Sequence, residues 1–218
     1  MAINLQKGQT IDLRKNDKGE SFDLTKVTIG LGWDIRNSYS SGADYDLDAI
    51  AFVLDSNKKI ANLGRTINYN GNSFNLVGSD IIFYHNQKHP SGHIKSTGDN
   101  RTGAGDGDDE QIIVHLDSLS PQYDSIVFLV TIYQGKMNNQ HFGMVSNAFI
   151  RAVDARGKEI ARFSLSGDAT YNGMCSMTFA EVYRKDGTWK FRAIGDPTPH
   201  DDFEIGRASC RERVLMPV

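Results

Sequence analysis

With only two cysteines, Cys175 and Cys210, the 218-residue chain cannot build a disulfide framework, and their spacing matches no metal motif. Long apolar runs are missing too, so no stretch is expected to insert directly into a membrane. The opening residues, Met1 to Lys7, lack a charged start followed by an apolar core. No secretory leader is therefore expected, and the expected address is cytoplasmic. An excess of positive charge is absent: 24 Lys and Arg against 27 Asp and Glu give a formal net charge of −3, which argues against nucleic acid as a main partner. No long stretch keeps the 3.6-residue helical period; Gln140 to Asn147 has room for one turn. A Gly-x-Ser-x-Gly nucleophile elbow is absent, and so are repeats of the solenoid kind.

What is present is a series of short strand signals. Val27, Ile29, Leu31 and Trp33 alternate on one face, and the run ends at Asp34. Leu47 to Leu54 is apolar on both faces past Asp48, which predicts a central strand. Ser125 to Tyr133 is the most hydrophobic run and the best buried strand. Asp80 to Tyr84 and Gln111 to Leu116 are shorter ones, and Ile3 to Leu13 reads as one or two more. Hairpins are expected around Arg156-Gly157 and Asp186-Gly187, and Asn70-Gly71 invites another within Leu63 to Gly78. Many short strands punctuated by Gly, Asn and Asp predict an all-β fold, an antiparallel β-sandwich.

The chemistry concentrates in Gly98 to Gln111. Asp99, Asp106, Asp108, Asp109 and Glu110 face a single base, Arg101, and Gly103, Gly105 and Gly107 alternate among them. Crowded carboxylates repel unless something positive sits between them. A turning, oxygen-rich loop suits a hard cation such as Ca²⁺, which takes roughly 6–8 oxygens at about 2.3–2.6 Å. A second cluster, Asp44, Asp46 and Asp48, has i, i+2, i+4 spacing; on an extended chain all three point one way, about 7 Å apart. If the strand ending at Asp34 pairs with the one that follows Asp44, all four acids share one end of the sandwich.

Other readings of these residues fit less well. As an EF-hand the loop fails, because Arg101 stands at the third position and no glycine at the sixth. The Gly-x-Gly-x-Gly-x-Asp pattern of Gly103 to Asp109 occurs once, whereas calcium-binding solenoids need several turns. A phosphate loop would want a lysine and a following helix. Three histidines, His85, His89 and His93, recur every four residues, but Pro90 and Gly92 break any helix that would align them for zinc, which leaves a surface loop. Paired carboxylates also allow a metal-dependent hydrolase or glycosidase, although the acids outnumber a catalytic pair.

Taken in order, Gly30-Leu-Gly-Trp-Asp34, Asp44-Tyr-Asp-Leu-Asp-Ala49 and Gly98 to Glu110 resemble the signature of the TerD family of tellurium-resistance and stress-response proteins. Phe142 to Arg151 and Trp189 to Gly195 are similar to its later segments. The resemblance runs from about Ala2 to Gly195. It implies a β-sandwich with calcium bound among acidic loops at one end, in a cytoplasmic bacterial protein that works with other stress-resistance proteins and not as an enzyme. The calcium ligands it implies are Asp44, Asp46, Asp48, Asp99, Asp106, Asp108, Asp109 and Glu110, with Asn100 and Asp34 as further candidates. In a tellurium-resistance setting, Cys175 as a thiolate binder is a third reading, against that of a buried structural cysteine. Leu63 to Gly78 departs from the family pattern and reads as a hairpin insertion. The expected domain is residues 1–204. The remainder, Ile205 to Val218, resembles one reading frame of a sequencing adapter and is expected to be a non-native, disordered tail; it holds three arginines and one glutamate, so the domain alone is more acidic than the chain.

Overall fold

The computed structural model describes residues 3–15, 19–35, 45–69, 71–98, 107–165 and 169–201. In chain order its strands are β1 (Ile3–Leu5), β2 (Thr10–Asp12), β3 (Val27–Ile35), β4 (Leu47–Asp55), β5 (Arg65–Tyr69), β6 (Asn72–Val77) and β7 (Ile81–Ile82). There follow β8 (Ile94–Ser96), β9 (Glu110–Val114), β10 (Tyr123–Ile132), β11 (Val145–Val153), β12 (Glu159–Leu165), β13 (Ser176–Lys185) and β14 (Thr188–Thr198). They form two six-stranded sheets, one in the order β1-β12-β11-β3-β9-β8 and the other β2-β14-β13-β10-β4-β7, plus the β5-β6 hairpin. Pairing is antiparallel except that β1 lies parallel to β12.

The alternating residues of β3, Val27, Ile29, Leu31 and Trp33, turn inward and are all buried. They meet inward-facing residues of the opposite sheet, among them Ala51, Val53, Phe128, Val130, Phe179 and Phe191, in one core. The two β-hairpin turns form where their residues direct. Asp186 and Gly187, at φ 55° and 70°, join β13 to β14 in two residues, the left-handed pair whose twist suits such a hairpin. Between β11 and β12, Gly157 takes φ 77° while Asp154 N–H donates to Lys158 O at 2.9 Å.

β4 is apolar on both faces because both faces are covered. Ile50, Phe52 and Leu54 point away from the main core and join Val127, Leu129, Leu76, Ile81 and Phe83 in a second cluster. The cover is the excursion between β4 and β8, which includes the β5-β6 hairpin.

Two expectations are corrected. The strand ending at Asp34 does not pair with the one that follows Asp44: β3 pairs with β11 and β9, β4 with β10 and β7, in opposite sheets. The histidine segment is not simply a surface loop. His89 is fully buried, its Nε2 3.1 Å from Asp80 Oδ1 and its Nδ1 2.8 Å from Ser91 Oγ, and Tyr123 donates to the same Asp80 oxygen at 3.2 Å. The one helical turn expected within Gln140 to Asn147 is present, as the 3-10 turn Phe142–Met144 before β11 begins.

Candidate metal centre at the acidic end

Although β3 and β4 lie in different sheets, β9 ties them together. Glu110 opens β9 opposite Leu31, faces inward and is 4% exposed. Its Oε2 accepts the Ala49 N–H of β4 at 2.7 Å, so one carboxylate bridges the two sheets one residue beyond Asp48. Asp109 continues the ladder toward β3: its N–H donates to Leu31 O at 2.8 Å, and its Oδ2 accepts the Trp33 N–H at 2.9 Å. Burial pushes the Asp109 carboxyl above the usual carboxylate range; the Trp33 N–H opposes this, and the negative charges of Asp34 and Asp108 add to it.

Asp108 turns to the outer face of the sheet. Its Oδ1 accepts from Arg151 Nε at 2.7 Å and its Oδ2 from Gln111 Nε2 at 3.0 Å. Arg151 also donates to Glu159 Oε2 at 2.9 Å, and Arg162 holds both oxygens of that glutamate while stacking 4.1 Å from the Phe149 ring centre. The carboxylate of Asp108 lies directly over Gly30, where any Cβ would collide with it. Two residues on, a Cβ at Gly32 would stand 2.6 Å from Gly107 O and would strike the Phe149 ring. Both glycines therefore serve close approach, clearing a groove on β3 in which residues 107–108 rest. Gly107 itself takes φ 110°, open to glycine alone at no cost.

Asp34 ends the same groove. It is exposed; its Oδ2 accepts from Asn147 Nδ2 at 2.8 Å and its carbonyl from Ser146 Oγ at 3.2 Å. Asn147, at φ 52°, sits where the β11-β3 register slips, which aims its amide at Asp34. On the opposite sheet, Asp48 is 7% exposed and lies across from Thr131, and Asp46 is half-buried, its carbonyl accepting the Tyr133 N–H at 2.8 Å.

Asp34, Asp46, Asp48, Asp108, Asp109 and Glu110 thus gather at one end, on three sides of β9: Glu110 inward, Asp109 toward the end of β3, Asp108 outward. Asp44, Asp99, Asn100 and Asp106 lie outside the described residues. Among the described residues no three His, Cys, Asp or Glu side chains stand close enough together to hold a metal ion. The donor chemistry fits a hard cation in part: Asp34 and Asp109 crowd each other, whereas both oxygens of Asp108 are taken up by Arg151 and Gln111. Reasoning from the sequence missed Arg151, Asn147 and the role of Gly30 and Gly32. Glycine at two alternate positions of an otherwise strong strand was the signal for the last. Of the remaining candidates, Cys175 is buried, and burial raises its thiol pKa, which disfavours a thiolate there.

The sequence profile of the TerD domain matches residues 1–79 and 75–201. The tellurium resistance protein TerX of Serratia marcescens is 51% identical over 93% of this chain and 96% of its own. General stress protein 16U of Bacillus subtilis (strain 168) is 39% identical over 89% of this chain and 90% of its own. Among solved structures, a homologue of telluride resistance protein TerD, SCO6318 from Streptomyces coelicolor A3(2), superposes with a TM-score of 0.58 at 26% identity, over 83% of this chain and 94% of that one.

Proposed function

The chain belongs to the TerD family, and from that membership and the geometry of its acidic end we propose that it is a calcium-binding protein of tellurium resistance and stress response. In this reading it acts as a binding or scaffold module toward other stress-resistance proteins and not as an enzyme. The observation that carries the calcium assignment is the gathering of carboxylates at one end around Asp109, whose carboxyl is raised by burial first and then by the negative charges of Asp34 and Asp108. Like charges held that close call for a cation.

In this reading Asp34, Asp46, Asp48, Asp109 and Glu110 would contribute oxygens, no three of them close enough to hold the ion by themselves, and Asp44, Asp99, Asn100 and Asp106 from the flanking segments would complete the site. We assign Asp108 a different task, anchoring the loop exit to Arg151. Bound calcium would supply two positive charges and draw in oxygens from both sheets. Among the described residues no helix is long and apolar enough to cross a membrane, and a cytoplasmic site of action is part of this proposal.

The test is a thermal titration. A ligand that binds only the folded state adds about 2.7 kcal/mol at a hundred times its Kd, or roughly 5–10 °C in Tm for a chain of this size. Calcium is expected to raise Tm and a chelator to lower it, with magnesium weaker because it dehydrates reluctantly. Asp46→Asn combined with Asp109→Asn should abolish the shift. A Tm indifferent to calcium would sink the assignment.

A further inference from the structure

The outer face of the β2-β14-β13-β10-β4-β7 sheet is only half covered. Where the second core ends, a cleft of about 410 Å³ opens over β13 and β14. Leu54 and Val127, which belong to that core, also line the cleft and give it an apolar floor. It lies six residues along β4 from Asp48, roughly 20 Å at ~3.3 Å per residue, well away from the acidic end.

The rest of its lining is charged. Glu181 is buried, and its carboxylate is clamped from two sides: Lys58 Nζ stands 3.3 Å from Oε1 and Arg192 donates to Oε2 at 2.7 Å. Lys58 is set in place by a turn in which it takes φ 59°, and it also donates to Asp124 Oδ2 and Ser125 Oγ, each at 3.0 Å. The Tyr183 ring lies between the two cations, 5.9 Å from Lys58 Nζ and 5.7 Å from the Arg192 guanidinium carbon. Lys185 stands exposed at the rim. Three cations thus line the cleft against Glu181, and Asp124, paired with Lys58 from outside the lining, is a second carboxylate.

Arg192 reaches the cleft with only part of its side chain: Nε is buried, while the side chain as a whole is 38% exposed. An arginine's planar N–H groups suit oxyanions. A partly exposed arginine, an exposed lysine, an aromatic ring and an apolar floor occur together in a cleft sized for a small molecule.

We propose that this cleft binds a small organic phosphate, its head held by Arg192 and Lys185 and its apolar body on Leu54, Val127 and Tyr183. Charge favours the dianionic phosphate over a carboxylate, since one positive charge remains after Lys58 and Arg192 are set against Asp124 and Glu181. The floor favours an organic ester over the free ion.

Calorimetry on the full chain, at low salt and with chelator present so that the acidic end plays no part, tests this with phenyl phosphate, benzoate, inorganic phosphate and phenol. Phenyl phosphate is expected to bind one-to-one, about tenfold or more tighter than each of the other three. Arg192→Gln should weaken it about tenfold, the worth of one charged hydrogen bond. Lys185→Gln, an exposed change that leaves the fold alone, should weaken it about threefold. No saturable heat at millimolar phenyl phosphate overturns the proposal. Equal affinity for inorganic phosphate overturns it as well, and so does phenyl phosphate binding that neither substitution alters.

Discussion

The acidic end and the Glu181 cleft use the same ingredient to opposite effect. At the acidic end Asp34, Asp108 and Asp109 crowd together, and the cation present, Arg151, sits on the far side of Asp108. Backbone N–H groups of Trp33 and Ala49 orient the carboxylates of Asp109 and Glu110. In the cleft one buried carboxylate is outnumbered by cations. A net charge of −3 therefore says little about either site. Short-range charge imbalance decides what each attracts, because screening removes the rest within about 10 Å.

The largest expected effect concerns the groove that seats the acidic loop. Gly30→Ala puts a methyl group onto the Asp108 carboxylate and should cost about 2–3 kcal/mol, roughly 5–10 °C in Tm. Adding Asp108→Ala should recover part of that loss; a fully additive double mutant would mean the two residues do not share the groove.

Next comes the contrast itself. Glu181→Gln leaves Lys58 and Arg192 facing each other over a neutral amide and is expected to destabilise by about 1–3 kcal/mol, less than a fully buried pair because both cations are partly exposed. Asp109→Asn in calcium-free protein should do the reverse and raise Tm, since it removes one of three crowded charges. If both substitutions shift Tm in the same direction, the two sites do not differ as described.

The smallest effect is in pH dependence. A carboxyl whose folded pKa is raised holds its proton more tightly folded than unfolded. The calcium-free protein should therefore lose stability at Asp109 as pH climbs from the ordinary carboxylate value, ~3.9, to the raised one. The advantage of Asp109→Asn should fade as pH falls through that window. Asp154 runs the other way. Burial raises its carboxyl, but N–H donors from Lys158, Asp23 and Arg156 and the Arg156 side chain outweigh that and lower it. Its contribution is present above the ordinary value and is lost as pH falls through the depressed one. Urea titrations of Asp109→Asn and Asp154→Asn from pH 3 to 7 should give slopes of opposite sign.

Much of the fold was legible in local pattern. The alternation in β3 and the Asp186-Gly187 turn depend on neighbours in sequence, and both formed as the residues suggest. The long apolar run of β4 reported burial on both faces correctly. What covered the second face was not legible, since the cover comes from a different segment. The burial of His89 was equally hidden, because it depends on Asp80, to which it bonds, and on Tyr123 of a distant strand, which packs edge-on against its ring and bonds the same Asp80 oxygen.

For the acidic end, sequence alone determined the donors: the residues whose carboxylates crowd, and the glycines that allow close approach. Tertiary structure decided how they meet. Asp34 and the 46–48 cluster come to one end through facing sheets and not through strand pairing, with Glu110 bridging to Ala49. It also decided that Asp108 turns outward to Arg151, which no spacing rule could show. The phosphate cleft was wholly a matter of tertiary structure. Lys58, Glu181 and Arg192 come from separate strands and turns, and only sheet register brings their charges within reach of one another.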